Sequence, residues 1–150
     1  SDSVLDGVYK LSSYAGEPRM KLSENIGKVT LPGPKKVLRL RDESDCFRGD
    51  VVVCEDEKDP TLMIHPWHAD KRRALQGFSR EVLRVPVMKA GERLHAAPPI
   101  GEIRDYAYRR LEQLPGEYKR FENPHEYKVG ISEQLHALRS GMQQDLLKKR

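Results

Sequence analysis

The chain has 150 residues, of which 37% are hydrophobic and 33% charged, with a formal net charge of +4. That length allows one domain with a real core. Against globular averages of about 45–50% apolar (Gly included) and about 25% charged, the composition is lean, so either the core is small or a partner covers part of it. The longest apolar run, Val51–Cys54, is too short for a membrane span or a signal peptide, and two cysteines, Cys46 and Cys54, make no disulfide framework, which points to a reducing cytoplasm.

The charges are interspersed, and the small positive excess suits small anions better than nucleic acid. The chain opens at Ser1 without a methionine, as expected of a piece of a longer protein. Residues 7–14 (GVYKLSSY) and 19–23 (RMKLS) flank the turn residues AGEP and predict a hairpin. Pairing Tyr14 with Arg19 sets Ser13 against Met20 and Leu11 against Leu22. Tyr9, Leu11, Met20 and Leu22 then share one face, expected to be buried, and Lys10, Ser12, Lys21 and Ser23 the other. The loop beyond carries Lys28 and ends in Pro32–Gly33–Pro34, a rigid turn.

Further strands are predicted at 36–41 (KVLRLR), 50–54 (DVVVC), 61–64 (TLMI), 81–88 (EVLRVPVM) and 92–95 (ERLH), the last two joined by a turn at Gly91. A helix is predicted from Pro99–Ile100, with Ile100, Ile103, Ala107, Leu111 and Leu114 at helical spacing and Pro115–Gly116 as its stop. A second begins at Ser132 as N-cap, carries Leu135, Leu138, Met142 and Leu146, and closes on Lys148, Lys149 and Arg150. The fold class is therefore α+β: antiparallel strands and hairpins in the first two-thirds, followed by two amphipathic helices. Residues 1–97 are mainly β and 98–150 mainly α. The helices are expected to pack on the sheet through Ile103, Ala107, Leu111, Leu135, Leu138 and Met142.

No catalytic set stands out. The sequence has no GxSxG, P-loop, GxGxxG or HExxH. His65 and His68 in HPWH offer two imidazoles where zinc needs three or four ligands, so a strand end with a packed Trp67 is the better reading. HADKRR (68–73) reads as a solvated loop, because no aromatics alternate with its cations. His95, His125 and His136 are scattered and read as structural or exposed. The one constellation with chemistry is the two-lysine face of the hairpin with Lys28 beyond it, where ammonium groups could hold phosphate. Taken alone, that face reads better as a solvated strand surface.

The stretches GVYKL, PRMKLSE and GKVTLPGPK, then VLRVPVM, GERL, EIRDYA and LPGEYKRFENPHEYKVGISEQL, together resemble the segment that follows the barrel in nicotinate phosphoribosyltransferases. The resemblance runs over nearly the whole chain and is weakest between residues 42 and 75. Pro99 departs from it, since relatives often carry a helix-capping Ser there. It implies the C-terminal domain of an enzyme that joins nicotinate to phosphoribosyl pyrophosphate, giving nicotinate mononucleotide and pyrophosphate. ATP hydrolysis through a phosphohistidine, with Mg²⁺, would drive the reaction. The histidine, base-binding residues and phosphate turn would lie in an N-terminal domain and barrel that precede this chain, at a site shared between two subunits of a homodimer. In related nicotinamide enzymes, lysines matching Lys10, Lys21 and, with a looser match, Lys28 reach the phosphates of the neighbouring subunit's substrate. The resemblance therefore implies phosphate binding in trans by these three, a chain inactive alone, and no nucleic-acid or membrane partner. The alternative is a free-standing basic module for an acidic partner such as RNA.

Overall fold

The computed structural model describes residues 8–24 and 28–148. In chain order, a first hairpin, β1 (Ser13–Tyr14) and β2 (Glu17–Pro18), precedes β3 (Lys35–Arg41), β4 (Phe47–Cys54), β5 (Leu62–Ile64), β6 (Arg72–Ala74) and β7 (Ser79–Val82). A second hairpin, β8 (Met88–Lys89) and β9 (Glu92–Arg93), leads to α1 (Ile100–Glu112), a 3-10 turn (Gly116–Tyr118), β10 (Val129–Ser132) and α2 (Glu133–Lys148). The α+β class stands, with one strand set inside the helical third.

Six strands form one sheet in the order β6-β5-β10-β4-β3-β7. Every neighbour is antiparallel except β10 and β4, which run parallel with Ile131 level with Val52. β4 carries a nearly continuous apolar run because it is central and buried on both faces. β3 alternates, with Leu38 and Leu40 buried and Arg39 and Arg41 only partly so. One face of the sheet packs Leu38, Leu40, Val51, Val53, Met63 and Leu75 together, closed by Phe78. On the other, Cys54, Ile64, Ile131 and Leu135 pack with the half-buried Leu31, Val52, Leu62 and Leu138.

The first hairpin is tighter than expected. Ala15 and Gly16 both have positive φ, 50° and 80°, so the turn has two residues and Tyr14 pairs with Glu17, not Arg19. Such a turn follows the natural twist of paired strands. The correction is a shift of two residues, which leaves each side chain on its predicted face. Burial of the apolar face fails, however: Tyr9 is fully exposed and Leu11 is 62% exposed.

The strand expected at 81–88 is split. β7 stops at Val82, and Pro86, which has no N–H to give a ladder, precedes β8. The strand expected at 92–95 shortens to Glu92–Arg93, opposite Met88–Lys89 across an Ala90–Gly91 turn of the same positive-φ kind. Part of the basic run read as a loop, Arg72–Ala74, is instead the edge strand β6, paired with β5. Cationic side chains suit such an edge because they discourage further pairing.

The two helices part company. Ser132 caps α2 as expected: its Oγ accepts the Leu135 N–H at 3.2 Å and donates to Glu57 at 2.5 Å. Leu135 is buried and Leu138 half-buried against the sheet. α1 starts at the predicted place despite Pro99, but none of its residues is buried, and Ile100, Ile103, Ala107 and Leu111 are not packed on the sheet. Polar contacts fasten α1 at its C-terminal end instead. Arg110 reaches Glu81 at 2.7 Å and lies 4.6 Å over the Phe47 ring, and the Phe47 N–H donates to the Gln113 carbonyl at 2.9 Å.

Candidate phosphate-contacting hairpin

The predicted lysines lie on a brace built from backbone. The Ser12 carbonyl accepts two N–H groups, from Arg19 at 2.9 Å and from Gly33 at 2.7 Å. The hairpin is thereby tied to the Pro-Gly-Pro turn. Pro32 and Gly33 are buried, and a Cβ at Gly33 would meet Leu138 of α2 at 3.7 Å. Gly33 has φ +74°, a conformation glycine takes without penalty. Lys35 closes the brace, donating its ammonium to the Leu31 carbonyl at 2.9 Å and to the Gly33 carbonyl. Burial holds the Lys35 pKa below its ordinary value, as expected where carbonyls replace water.

Lys21 is fixed at its backbone. Its N–H donates to Thr30 Oγ1 at 2.8 Å, and its carbonyl accepts the Thr30 N–H at 3.4 Å. The side chains of Lys10, Lys21 and Lys28 are all exposed, and none makes an ion pair among the described residues. The hairpin pairing runs outward as far as the Ser12–Arg19 hydrogen bond, two residues short of Lys10 and Lys21. No contact joins Lys28 to the other two. Two or three free ammonium groups on a stiff backbone are equipped to meet phosphate oxygens.

Other candidates find quieter roles. His65 Nδ1 accepts the N–H groups of Trp67 at 3.1 Å and His68 at 3.2 Å, so this ring nitrogen shapes a turn. Cys54 is buried, and burial, with Glu57 second, pushes its thiol above the ordinary range and away from the nucleophilic thiolate. Two features escaped the sequence reading. One is Lys35, whose part in the brace could be read only from the turn it follows. The other is a buried network in which Asp50 takes a bidentate bond from Arg39, at 2.9 Å on each oxygen, and one from the Tyr127 hydroxyl at 3.1 Å. The Arg39–Asp50 pair sits directly across β3 and β4, but Tyr127 arrives from far along the chain, which no local pattern announces.

The family model for the nicotinate phosphoribosyltransferase C-terminal domain matches residues 34–139. Lys10, Lys21 and Lys28 lie just before that range. Among curated proteins, the nicotinate phosphoribosyltransferase of Bos taurus is 35% identical over 135 residues, covering 87% of this chain and 25% of the relative. That of Caenorhabditis elegans is 31% identical, covering 89% and 25%. That of Bacillus subtilis is 31% identical, covering 95% and 33%. The crystal structure of human nicotinic acid phosphoribosyltransferase superposes with a TM-score of 0.78 at 29% identity, covering 90% of this chain and 26% of the human one. The chain thus spans about a quarter to a third of the length of these relatives. A family match over most of the chain, with a superposition of that quality, makes it a member of the nicotinate phosphoribosyltransferase C-terminal domain family.

Proposed function

We propose that the chain serves as the C-terminal domain of a nicotinate phosphoribosyltransferase of the cytoplasm, an enzyme of NAD biosynthesis. The whole enzyme would form nicotinate mononucleotide and pyrophosphate from nicotinate and phosphoribosyl pyrophosphate. Lys10, Lys21 and Lys28 would bind phosphates at the active site of the partner subunit in a homodimer. The brace carries this reading: a hairpin held by Ser12, Gly33 and Lys35 presents Lys21 with little ordering left to be done on binding. Phosphoribosyl pyrophosphate gains charge on its leaving group as the glycosidic bond breaks, and cations already in place favour that state.

ATP and Mg²⁺ would act on the enzyme's own N-terminal and barrel domains. Among the described residues no group of three or more His, Cys, Asp or Glu is placed to hold a metal, so no step at Mg²⁺ is assigned to this chain. No helix of the described chain is long and apolar enough to cross a membrane. An RNA-binding module finds no support, since the matched relatives are phosphoribosyltransferases.

The chain alone is expected to form no nicotinate mononucleotide when given all substrates. In the full-length enzyme, Lys21→Ala should weaken use of phosphoribosyl pyrophosphate more than nicotinate, by about 1.5–3 kcal/mol, the worth of hydrogen bonds to charged groups. Mixing Lys21→Ala subunits with subunits lacking the catalytic histidine tests the geometry. A lysine acting in trans restores activity at the site whose histidine is intact. No recovery in demonstrated mixed dimers, or unchanged kinetics in Lys21→Ala, refutes the assignment.

A further inference from the structure

Just under half of the fifteen arginines in this chain pair with a carboxylate among the described residues. Seven of them, from Arg39 to Arg110, pair with Asp or Glu within 4.0 Å although their side chains are 18–68% exposed. Arg139 of α2 is more buried than any of these, at 7% exposure, and has no carboxylate partner among the described residues. Its Nη1 donates to the Pro66 carbonyl at 2.7 Å, its guanidinium carbon lies 5.6 Å from the centre of the Trp67 ring, and its Nε is buried with no acceptor. One carbonyl and one ring offset only part of the cost of taking a full charge out of water. Burial first, and then the charges of Arg139 and Arg72, hold the nearby His136 below its ordinary pKa.

Pro66 and Trp67, the two residues that hold Arg139, also wall a groove of about 1140 Å³ between the 65–73 segment and the approach to β10. Lys71, Arg72, Arg73 and Lys128 line the same groove against two carboxylates, Asp70 and Glu126. None of these four cations forms an ion pair among the described residues. Arg73 spends its guanidinium on the Arg48 carbonyl and the Phe78 ring, and Arg72 gives its Nε to the Ala69 carbonyl at 2.8 Å, which leaves Lys71, Lys128 and the terminal nitrogens of Arg72 to a ligand. Trp67 is 46% exposed, so one ring both contacts Arg139 and faces the open groove.

We propose that this groove binds a small phosphorylated anion, with Lys71, Arg72 and Lys128 on the phosphate oxygens and Trp67 as one wall. Several separated cations suit a phosphate group with many acceptor lobes better than a single carboxylate, which one guanidinium satisfies. Arg139 does not itself line the groove; it holds Pro66 and Trp67, which do. The groove is formed by elements other than the lysine hairpin and stands independently of the reading above.

Trp67 is the sole tryptophan of the chain and therefore a local reporter. Inorganic pyrophosphate is titrated at constant ionic strength, following Trp67 fluorescence and the melting temperature. A saturable fluorescence change with Kd below about 1 mM, accompanied by a rise in melting temperature, is expected. The double variant Lys71→Ala, Lys128→Ala changes exposed residues only and should weaken binding at least tenfold while melting as the unliganded wild type does. Arg139→Met, which leaves every lining side chain in place, should weaken binding less than the lysine double variant does. The proposal is overturned by an unsaturable response, by an equal response to citrate of matched charge, or by wild-type affinity in the lysine double variant. If Arg139→Met fails to fold, the lysine double variant still decides the proposal.

Discussion

The same chemical change at three leucines separates what holds the fold from what lies outside it. Leu135 is fully buried on the first turn of α2 among Cys54, Ile64 and Ile131. Leu138 is half-buried against the same cluster, and Leu111 of α1 is 51% exposed. Truncating a fully buried leucine to alanine costs about 2–5 kcal/mol, the lost transfer energy plus the cavity left behind. Leu135→Ala belongs in the upper half of that range, because the sheet beneath is hydrogen-bonded on both sides of β10 and cannot collapse into the space. Urea unfolding followed by far-ultraviolet circular dichroism reads the cost. With a slope of roughly 2 kcal/mol per molar, the midpoint should fall by about 1.8–2.5 M. Leu138→Ala should fall between, and Leu111→Ala should stay within about 0.5 kcal/mol of wild type. A Leu135→Ala cost below about 1 kcal/mol, or a Leu111→Ala cost equal to it, refutes the division between an anchored α2 and an α1 held only by its end.

Two further outcomes test the sheet and the buried network. Gly130→Ala should destabilise by about 1–3 kcal/mol in the same assay, because its Cβ would stand 2.2 Å from Met63 Cγ and 2.9 Å from the Ile64 carbonyl, and that backbone cannot yield; an unchanged midpoint contradicts the close approach of β10 to β5. Burial first, and the Asp50 charge second, push the Tyr127 hydroxyl up to about 12 from an ordinary value near 10. A phenol whose pKa is raised on folding contributes stability that is present below about pH 10 and lost as pH climbs toward 12. Stability should fall across that window, and Tyr127→Phe should remove that share of the slope. An identical alkaline limb in Tyr127→Phe removes the network from the account.

Elements whose signal is local were legible in the sequence. The apolar alternation of β3, the unbroken run of β4, the stop at Pro115 and the Ser132 cap all depend on residues a few positions apart. What escaped depends on distant partners. VGIS at 129–132 carries only two aliphatic residues and ends in the Ser132 cap, so nothing local marked it as a strand; its identity comes from β4 and β5 on either side. The hairpin faces were legible because parity survives a two-residue shift, whereas the register was not, since AGEP admits more than one turn and only the positive φ of Ala15 decides it. The α1 stripe has good helical spacing, but spacing reveals that a face is apolar and not what covers it. Of the candidate site, the sequence offered the lysines as types at positions; the brace beside Lys21, through the Ser12 carbonyl and Lys35, required the fold.

The place of β10 constrains how this chain comes into being. Two strands that end before residue 65 must wait for a third that begins at Val129 before either has its second neighbour. During synthesis, most of the polypeptide leaves the ribosome while β4 and β5 still present open hydrogen-bonding edges with valine and isoleucine beside them. Such edges recruit other strands, including those of neighbouring nascent chains. The final twenty-odd residues thus act as the closing piece of the sheet, and a truncation that removes them should yield insoluble protein in place of a shortened domain.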